Sequence, residues 1–307
     1  MAKSLNISFS NNIVSILPDD KLQSESFAEK VIFRLIRKHI AGPTMNAALK
    51  KAKLINSKGL PVAVAFLSDT PSARAKVNYI FNTYAQLIRE MARQGIKSGI
   101  HLQLPQLGSS IDKELAKSNL LRLIDIGKRH GILVWAEARS AADAALLGEL
   151  SNTRGLGIAF DSFDDAISYL RKHSNAPMVK VLCKHESEEK VKDYKKWLSK
   201  TLKEISDGAK MLVLLSPDDE IIKYFSKSEN RHNVTFEFQL GYSDKKIGKI
   251  IKSRKLSMYM PFGRDWAEYA TDTVPEGYMR LLASSLLKEG GKKVAIKKGA
   301  SNGKKRK

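Results

Sequence analysis

The sequence predicts an α/β chain wound into a closed (β/α)8 TIM-type barrel. Eight apolar runs of strand length recur, the segments between them have helical periodicity, and the strands start 22 to 38 residues apart, the length of a β-loop-α-loop unit. The runs are mostly apolar instead of strictly alternating, as parallel strands under a jacket of helices require. A doubly wound open sheet is the alternative architecture. It would carry a glycine-rich phosphate loop after an early strand, and neither a GxGxxG nor a Walker pattern is present.

Residues 1–23 carry no pattern and form a separate N-terminal segment. Two helical patterns, 25–39 and 45–57, parted by Gly42-Pro43, make an N-terminal helical region over 24–58. The first strand is predicted at 61–67 (PVAVAFL). The helix after it sets Val77, Ile80, Phe81, Tyr84, Leu87, Ile88 and Met91 at spacings of three and four, with Thr70-Pro71 as its start and Gly95 as its stop. The second strand, 99–104 (GIHLQL), precedes a helix within 111–130 that turns Leu115, Leu120, Leu121 and Ile124 inward and ends at Gly131. The third strand is 132–138 (ILVWAEA) and the fourth is 156–161 (LGIAFD), followed by helices at 141–150 and 163–173. The fifth strand is 178–183 (MVKVLC) and the sixth is 210–215 (KMLVLL), with helices at 187–205 and 218–226. The seventh, 234–239 (VTFEFQ), a helix at 244–253 and the eighth, 256–261 (LSMYMP), complete the barrel domain, set at 59–290. The low-complexity stretch 291–307 is expected to be a disordered lysine-rich tail.

Composition excludes several classes. With 43% hydrophobic and 28% charged residues, disorder of the bulk chain is excluded. No stretch approaches the roughly 18 to 20 apolar residues of a membrane span. The opening MAKSLNISFSNN lacks an apolar core and a small-residue cleavage site, so no secretory signal is expected. A single cysteine, Cys183, excludes a disulfide framework and a zinc site built on cysteine pairs, and a cytoplasmic setting is expected. The net charge is +21, and removing the eight cations of 292–307 leaves +13 spread over the rest. Two readings of this charge stand. One is a solvated lysine-rich surface; the other is attraction for nucleic acid or a peripheral anionic membrane through the tail.

Barrel enzymes place their sites at the C-terminal ends of the strands. There the sequence offers Ser68 and Asp69, Gln103 and Gln106, Glu137 and Arg139, Asp161, and the group Lys180, Cys183, Lys184 and His185. Ser216 and Asp218, Glu237 and Gln239, Tyr259 and Arg264 follow. Gln103, Glu137 and Lys180 are each flanked by apolar residues on both sides, so period-two alternation turns them toward the lumen, where they are expected to converge at the mouth. Glu137 and Lys180 are expected to offset each other's burial cost, either as part of a site or as a structural ion pair. Histidines 39, 101, 130, 173, 185 and 232 show no metal-ligand spacing, and no metal centre is expected. Cys183 is a candidate nucleophile by location, against the reading of inert packing. Tyr242, Tyr259, Phe262 and Trp266 either floor a flat ligand or close the barrel end.

The strings IAGPTMNAALKKAKLINSKGLPVAVAFL, LQLPQLGSSIDKELAKSNLLRLIDIGKRHGILVWAEA, VTFEFQLGY and MYMPFGRDW carry a resemblance to the flavin-dependent proline dehydrogenase family, from about Phe33 to about Tyr269. The resemblance implies a (β/α)8 barrel that binds FAD at its mouth, oxidises proline or a related cyclic amine, and passes electrons to an acceptor such as a quinone. Several of the family's working positions are substituted. Gln103 stands for a lysine on the second strand, Glu137 for an aspartate on the third, and Asp161 for a glutamine on the fourth. The family's R-x-V-K-G-A on the fifth strand corresponds to Lys180 through His185, with Cys183 at the lysine, and Ser216-Pro217 corresponds to a Thr-His pair. The eighth-strand tyrosine is kept as Tyr259. The carboxylate-clamping arginine pair of the last helix falls on Asp272 and Thr273, or, with a gap, is restored in part by Arg280. The implied roles are therefore catalytic for Glu137 and Lys180, and substrate-binding for Gln103, Tyr259 and Arg280. Ala136, Asp161, Cys183, Lys184, His185, Ser216 and Pro217 would contact the cofactor. The alternative is a degenerate barrel acting as a binding or scaffold protein, with nucleic acid as the partner its basic surface and tail suggest.

Overall fold

The computed structural model describes residues 38–173, 178–183, 194–215, 217, 219–227, 233–241 and 255–265. All lie in one compact unit, Arg37–Asp272. The elements are α1 (Met45–Ser57), β1 (Val62–Phe66), α2 (Arg74–Arg93), β2 (Ser98–Gln103), a 3-10 turn (Leu104–Leu107), α3 (Lys113–His130), β3 (Leu133–Glu137), α4 (Ala141–Glu149) and β4 (Leu156–Phe160). They continue as α5 (Phe163–Lys172), β5 (Val179–Leu182), α6 (Tyr194–Gly208), β6 (Leu212–Leu215), α7 (Asp219–Lys227), β7 (Val234–Gln239) and β8 (Lys255–Phe262). The eight strands close into a barrel in sequence order, every neighbouring pair parallel, with β8 pairing β1.

Parallel register carries one face around the ring, because partners in a parallel ladder project to the same side. Ala63 pairs Gly99, which pairs Leu133; Gln103 pairs Glu137; Ala159 pairs Lys180, which pairs Val213. These residues line the lumen. Their neighbours in the chain, such as Val64, Ile100, Val134, Ile158, Val181, Leu214 and Phe236, fall on the outer face and join the helices in one continuous core. That is why the strands read as nearly unbroken apolar runs. Against this core α2 buries every residue of the stripe Val77, Ile80, Phe81, Tyr84, Leu87, Ile88 and Met91.

Helix starts follow their caps. The side chains of Thr44, Asp112, Ser140 and Ser162 accept backbone N–H groups of α1, α3, α4 and α5. At the end of α3, Gly131 takes the left-handed conformation at φ +67°, as a C-terminal stop requires. Two sequence expectations are corrected here. The first helix after β1 does not begin at Thr70-Pro71: α2 starts after Ala73, without a side-chain cap, because its apolar stripe begins only at Val77. Leu121 is 38% exposed and Leu123 takes the inward place, since the buried face of α3 runs through Ala116, Leu120, Leu123, Ile124 and Gly127. Leu115 is half-buried at its edge.

α1 packs against both β1 and β8, at the seam where the last strand meets the first. The segment before it runs along the C-terminal ends of the last strands. His39 Nδ1 lies 2.7 Å from the Leu240 carbonyl, and the Ala41 N–H donates to Pro261 at 2.8 Å. Among the described residues no helix is long and apolar enough to cross a membrane. The expected helices at 244–253 and over most of 25–39, the beginning of that at 187–205, the segment 1–23 and the tail 291–307 lie outside the described residues.

Candidate active site

The lumen of a parallel barrel has little water, so its polar groups must satisfy one another. At mid-height β2, β3, β5, β7 and β8 contribute His101, Glu137, Lys180, Glu237 and Ser257, which form a chain across the axis. The Ser257 hydroxyl donates to Glu237 Oε1 at 3.1 Å, and Lys180 Nζ donates to Glu237 Oε2 at 2.7 Å. Lys180 Nζ lies 3.4 Å from His101 Nδ1, and His101 Nε2 is 2.8 Å from Glu137 Oε2. Arg139 Nη1 donates to Glu137 Oε1 at 2.9 Å and to Asp161 Oδ2 at 3.0 Å, which brings the chain up to the mouth.

Burial sets the energetics. Lys180 is wholly buried, and Glu137 and Glu237 are 3% and 2% exposed. Desolvation pulls the Lys180 ammonium below the ordinary lysine value, opposed by the charge and hydrogen bond of Glu237 and by the charge of Glu137. Lys180 Nζ also sits 4.6 Å from the centre of the Trp135 ring, whose face favours a cation. Burial alone would raise Glu137; the hydrogen bond and charge of His101, with those of Arg139, outweigh it and hold the carboxyl at about 2. The Tyr259 ring meets His101 edge-on, with centroids 5.2 Å apart.

Above this layer, His101, Gln103, Gln106, Ser68 and Tyr259 line a small pocket of about 60 Å³ at the mouth. Gln106 belongs to the frame of this pocket. Its Nε2 donates to the Phe66 carbonyl and to Ser68 Oγ, each at 3.0 Å, while its Oε1 accepts from the Gln103 N–H. The Tyr84 hydroxyl, reaching in from α2, accepts from the Phe66 N–H at 3.2 Å and lies 3.0 Å from Gln106 Oε1. Burial pushes that phenol well above its ordinary value, so it stays a neutral strut.

Gln103, Glu137 and Lys180 do share the lumen face, as period two predicts. Of the expected Glu137–Lys180 pairing only the long-range part holds: the charge of Glu137 favours the Lys180 ammonium, while the direct partners are Glu237 for Lys180 and His101 with Arg139 for Glu137. Barrel curvature, which decides the strands that face one another across the axis, is absent from linear spacing. Tyr259 and Asp161 stand beside this group, Asp161 joined to it by Arg139. Ala136 does not: its side chain is wholly buried in the core beneath the helices, on the opposite face of β3 from Glu137. The half-buried Cys183 likewise packs against that core. Pro217 is buried beyond the end of β6. Lys184, His185, Ser216, Arg280, Tyr242 and Trp266 lie outside the described residues. Sequence reasoning missed His101, and it placed Glu237 at the strand ends without turning it into the lumen, although the alternation that singles out Gln103 and Lys180 applies equally within GIHLQ and VTFEF. Among the described residues no cluster of three or more metal-ligating side chains forms.

A closed barrel with buried charged groups leading to a pocket at the C-terminal ends of its strands has the layout of a barrel enzyme. Comparison with known proteins narrows the class: over most of its length the chain is similar to proline dehydrogenases. It is 22% identical over 264 residues to proline dehydrogenase 1 of Bacillus subtilis, covering 78% of this chain and 86% of that protein. It is 21% identical over 285 residues to the proline dehydrogenase of Deinococcus radiodurans, covering 84% and 91%. No family model matches the chain. Among solved structures, proline utilization A from Bdellovibrio bacteriovorus, inactivated by N-propargylglycine, superposes with a TM-score of 0.59 at 16% identity over 77% of this chain. The protein of the same name from Corynebacterium freiburgense gives 0.58 at 11% identity over 88%. The chain spans about a third of the length of those two structures, 32% and 34%. The superpositions establish the shared barrel.

Proposed function

We propose that the chain is a proline dehydrogenase-like flavoprotein, oxidising proline or a related cyclic amine with FAD and passing the electrons to an acceptor such as a quinone. The observation that carries this reading is the similarity to proline dehydrogenases over 76 to 84% of the chain, on a barrel whose polar groups rise to the C-terminal mouth. FAD, when bound, supplies the hydride acceptor. The mouth fits a planar ring system in part. Leu182, half-buried, and Leu215, buried, end β5 and β6 with apolar side chains on one side, and Arg139 with Asp161 offers polar groups on another. Lys184, His185, Ser216 and Pro217 are the remaining cofactor candidates.

In this reading Glu137, ionised at any ordinary pH, holds His101 and Arg139 in place and so shapes the floor of the substrate pocket. Tyr259 and Gln103 wall that pocket, and Arg280 meets the substrate carboxylate. Lys180 acts at a distance: its ammonium is spent on Glu237 one layer below the mouth, so its charge, not its hydrogen bonds, is felt at the pocket. The test is direct. The purified full chain should be yellow and its visible absorbance should bleach on addition of L-proline. A colourless protein that takes up no added FAD ends the reading.

A second reading, a barrel without catalysis that serves as a binding protein, is favoured by one observation. The charged groups of the lumen satisfy one another without any ligand. It expects a flavin-free protein that binds DNA or RNA with strong salt dependence, weakened by deletion of 292–307.

A further inference from the structure

Barrels of this kind are normally filled from end to end by layers of bulky, branched side chains. Here the filling is incomplete at the N-terminal end, opposite the mouth, where a cavity of about 560 Å³ opens. Its cause is legible in the lowest layer of the lumen. Ala63 on β1, Gly99 on β2 and Thr235 on β7 are too small to meet across the axis. Gly99 cannot be enlarged without a shift, because a Cβ there would lie 2.9 Å from the Leu133 carbonyl oxygen.

The walls and rim of this cavity differ in character. Leu133, Met211 and Val213 form apolar sides, and Trp135 stands at the inner end. Lys58, Lys97 and Lys255, all exposed, stand around the opening at the starts of β1, β2 and β8. Among the described residues, the carboxylate that reaches the cavity is Glu237, which is matched by Lys180 at 2.7 Å and leaves no net negative charge at the inner end. The volume lies within the range of about 300 to 1,000 Å³ typical of small-molecule sites. Water against such walls is poorly held, and an apolar body that replaces it gains free energy. The rim selects for negative charge.

We infer that this cavity binds a small amphipathic anion, its carboxylate, sulfonate or phosphate head at the three lysines and its ring or short chain between Leu133, Met211 and Val213. The site lies at the opposite end of the barrel from the mouth and stands independently of the flavoprotein reading.

The test uses the full chain and two fluorescent probes with the same rings, 8-anilinonaphthalene-1-sulfonate and the uncharged N-phenyl-1-naphthylamine. The sulfonate should saturate a single site at least about tenfold more tightly than the neutral probe, and decanoate should displace it. Lys58→Gln/Lys97→Gln/Lys255→Gln should weaken the sulfonate about tenfold and leave the neutral probe unchanged. Met211→Trp, which fills the cavity, should weaken both. Equal affinity for the two probes, no saturable binding, or a triple variant that binds the sulfonate like the parent overturns the inference. If either variant fails to reproduce the parent's circular dichroism and melting curve, a salt titration of the unaltered protein decides. Sulfonate affinity must fall with rising salt while that of the neutral probe holds, and a salt-insensitive sulfonate sinks the proposal.

Discussion

Replacing Lys180 by methionine tests the buried chain at its strongest link. The Lys180–Glu237 pair is 2.7 Å long and both side chains are almost fully removed from water. At an effective dielectric constant of about 20, the attraction across that distance is about 6 kcal/mol. Most of it offsets the cost of taking two charges out of water, so the net worth of the pair is small while the cost of breaking it is large. Lys180→Met keeps the stem's volume and leaves the Glu237 carboxylate in the lumen with the Ser257 hydroxyl still donating to it. It should lower the unfolding free energy by about 3 to 5 kcal/mol, a large fraction of the about 5 to 15 kcal/mol of a typical domain. Lys180→Met/Glu237→Leu removes both charges and should recover most of the loss, ending within about 1.5 kcal/mol of the parent. The assay is equilibrium urea denaturation of the four proteins followed by circular dichroism, read as a double-mutant cycle. A single variant that costs less than about 1 kcal/mol, or a double variant that loses the sum of the singles, would refute the claim that these two groups neutralise each other in a dry lumen.

Three further outcomes follow from the same geometry. Glu137, held at about 2 by its partners, contributes stability that is fully present above the ordinary carboxylate value of about 4.3 and is lost as pH falls toward 2, worth about 3 kcal/mol; His101→Leu should therefore move the acid-unfolding midpoint upward, and an unchanged midpoint would show that the hydrogen bond does not hold the carboxylate. Gly157→Ala should destabilise by about 1 to 3 kcal/mol, because a Cβ there would overlap the Trp135 indole, and Trp135→Leu in the same chain should relieve the loss; thermal melts of the two variants check it, and equal melts would refute the overlap. Gln103→Lys returns a cation to the second strand at the mouth and, on the flavoprotein reading, should lower the KM for L-proline by about 10-fold or more through a charge-assisted hydrogen bond, measured by dye-coupled steady-state kinetics; a KM that rises or stays level speaks against a carboxylate bound beside residue 103.

Much of the barrel is visible in the linear chain because its signals are local. Helix Met45–Ser57 and strand Val234–Gln239 have the bounds that periodicity and turn residues assign them, and the α2 stripe is buried in full. Where local signals compete, the tertiary core decides. Leu121 and Leu123 are equally apolar, but only Leu123 lies on the face that meets the barrel. Likewise, Thr70-Pro71 has the chemistry of a helix start, yet no buried stripe rewards a turn there.

The site divides in the same way. Alternation alone turns Gln103, Glu137 and Lys180 into the lumen, since the two-residue period of a strand is a property of its backbone. The same rule read more widely would have turned His101 and Glu237 inward as well. The choice of partner for Lys180 depended on distances across the axis. These follow from strand tilt and curvature around a closed ring and bring together residues 57 and 79 positions apart in the chain. The volume left at the N-terminal end is of the same kind, because no single strand records that three small residues will face one cavity. The sequence by itself determined which face each side chain takes; only the closed ring decided what it meets there.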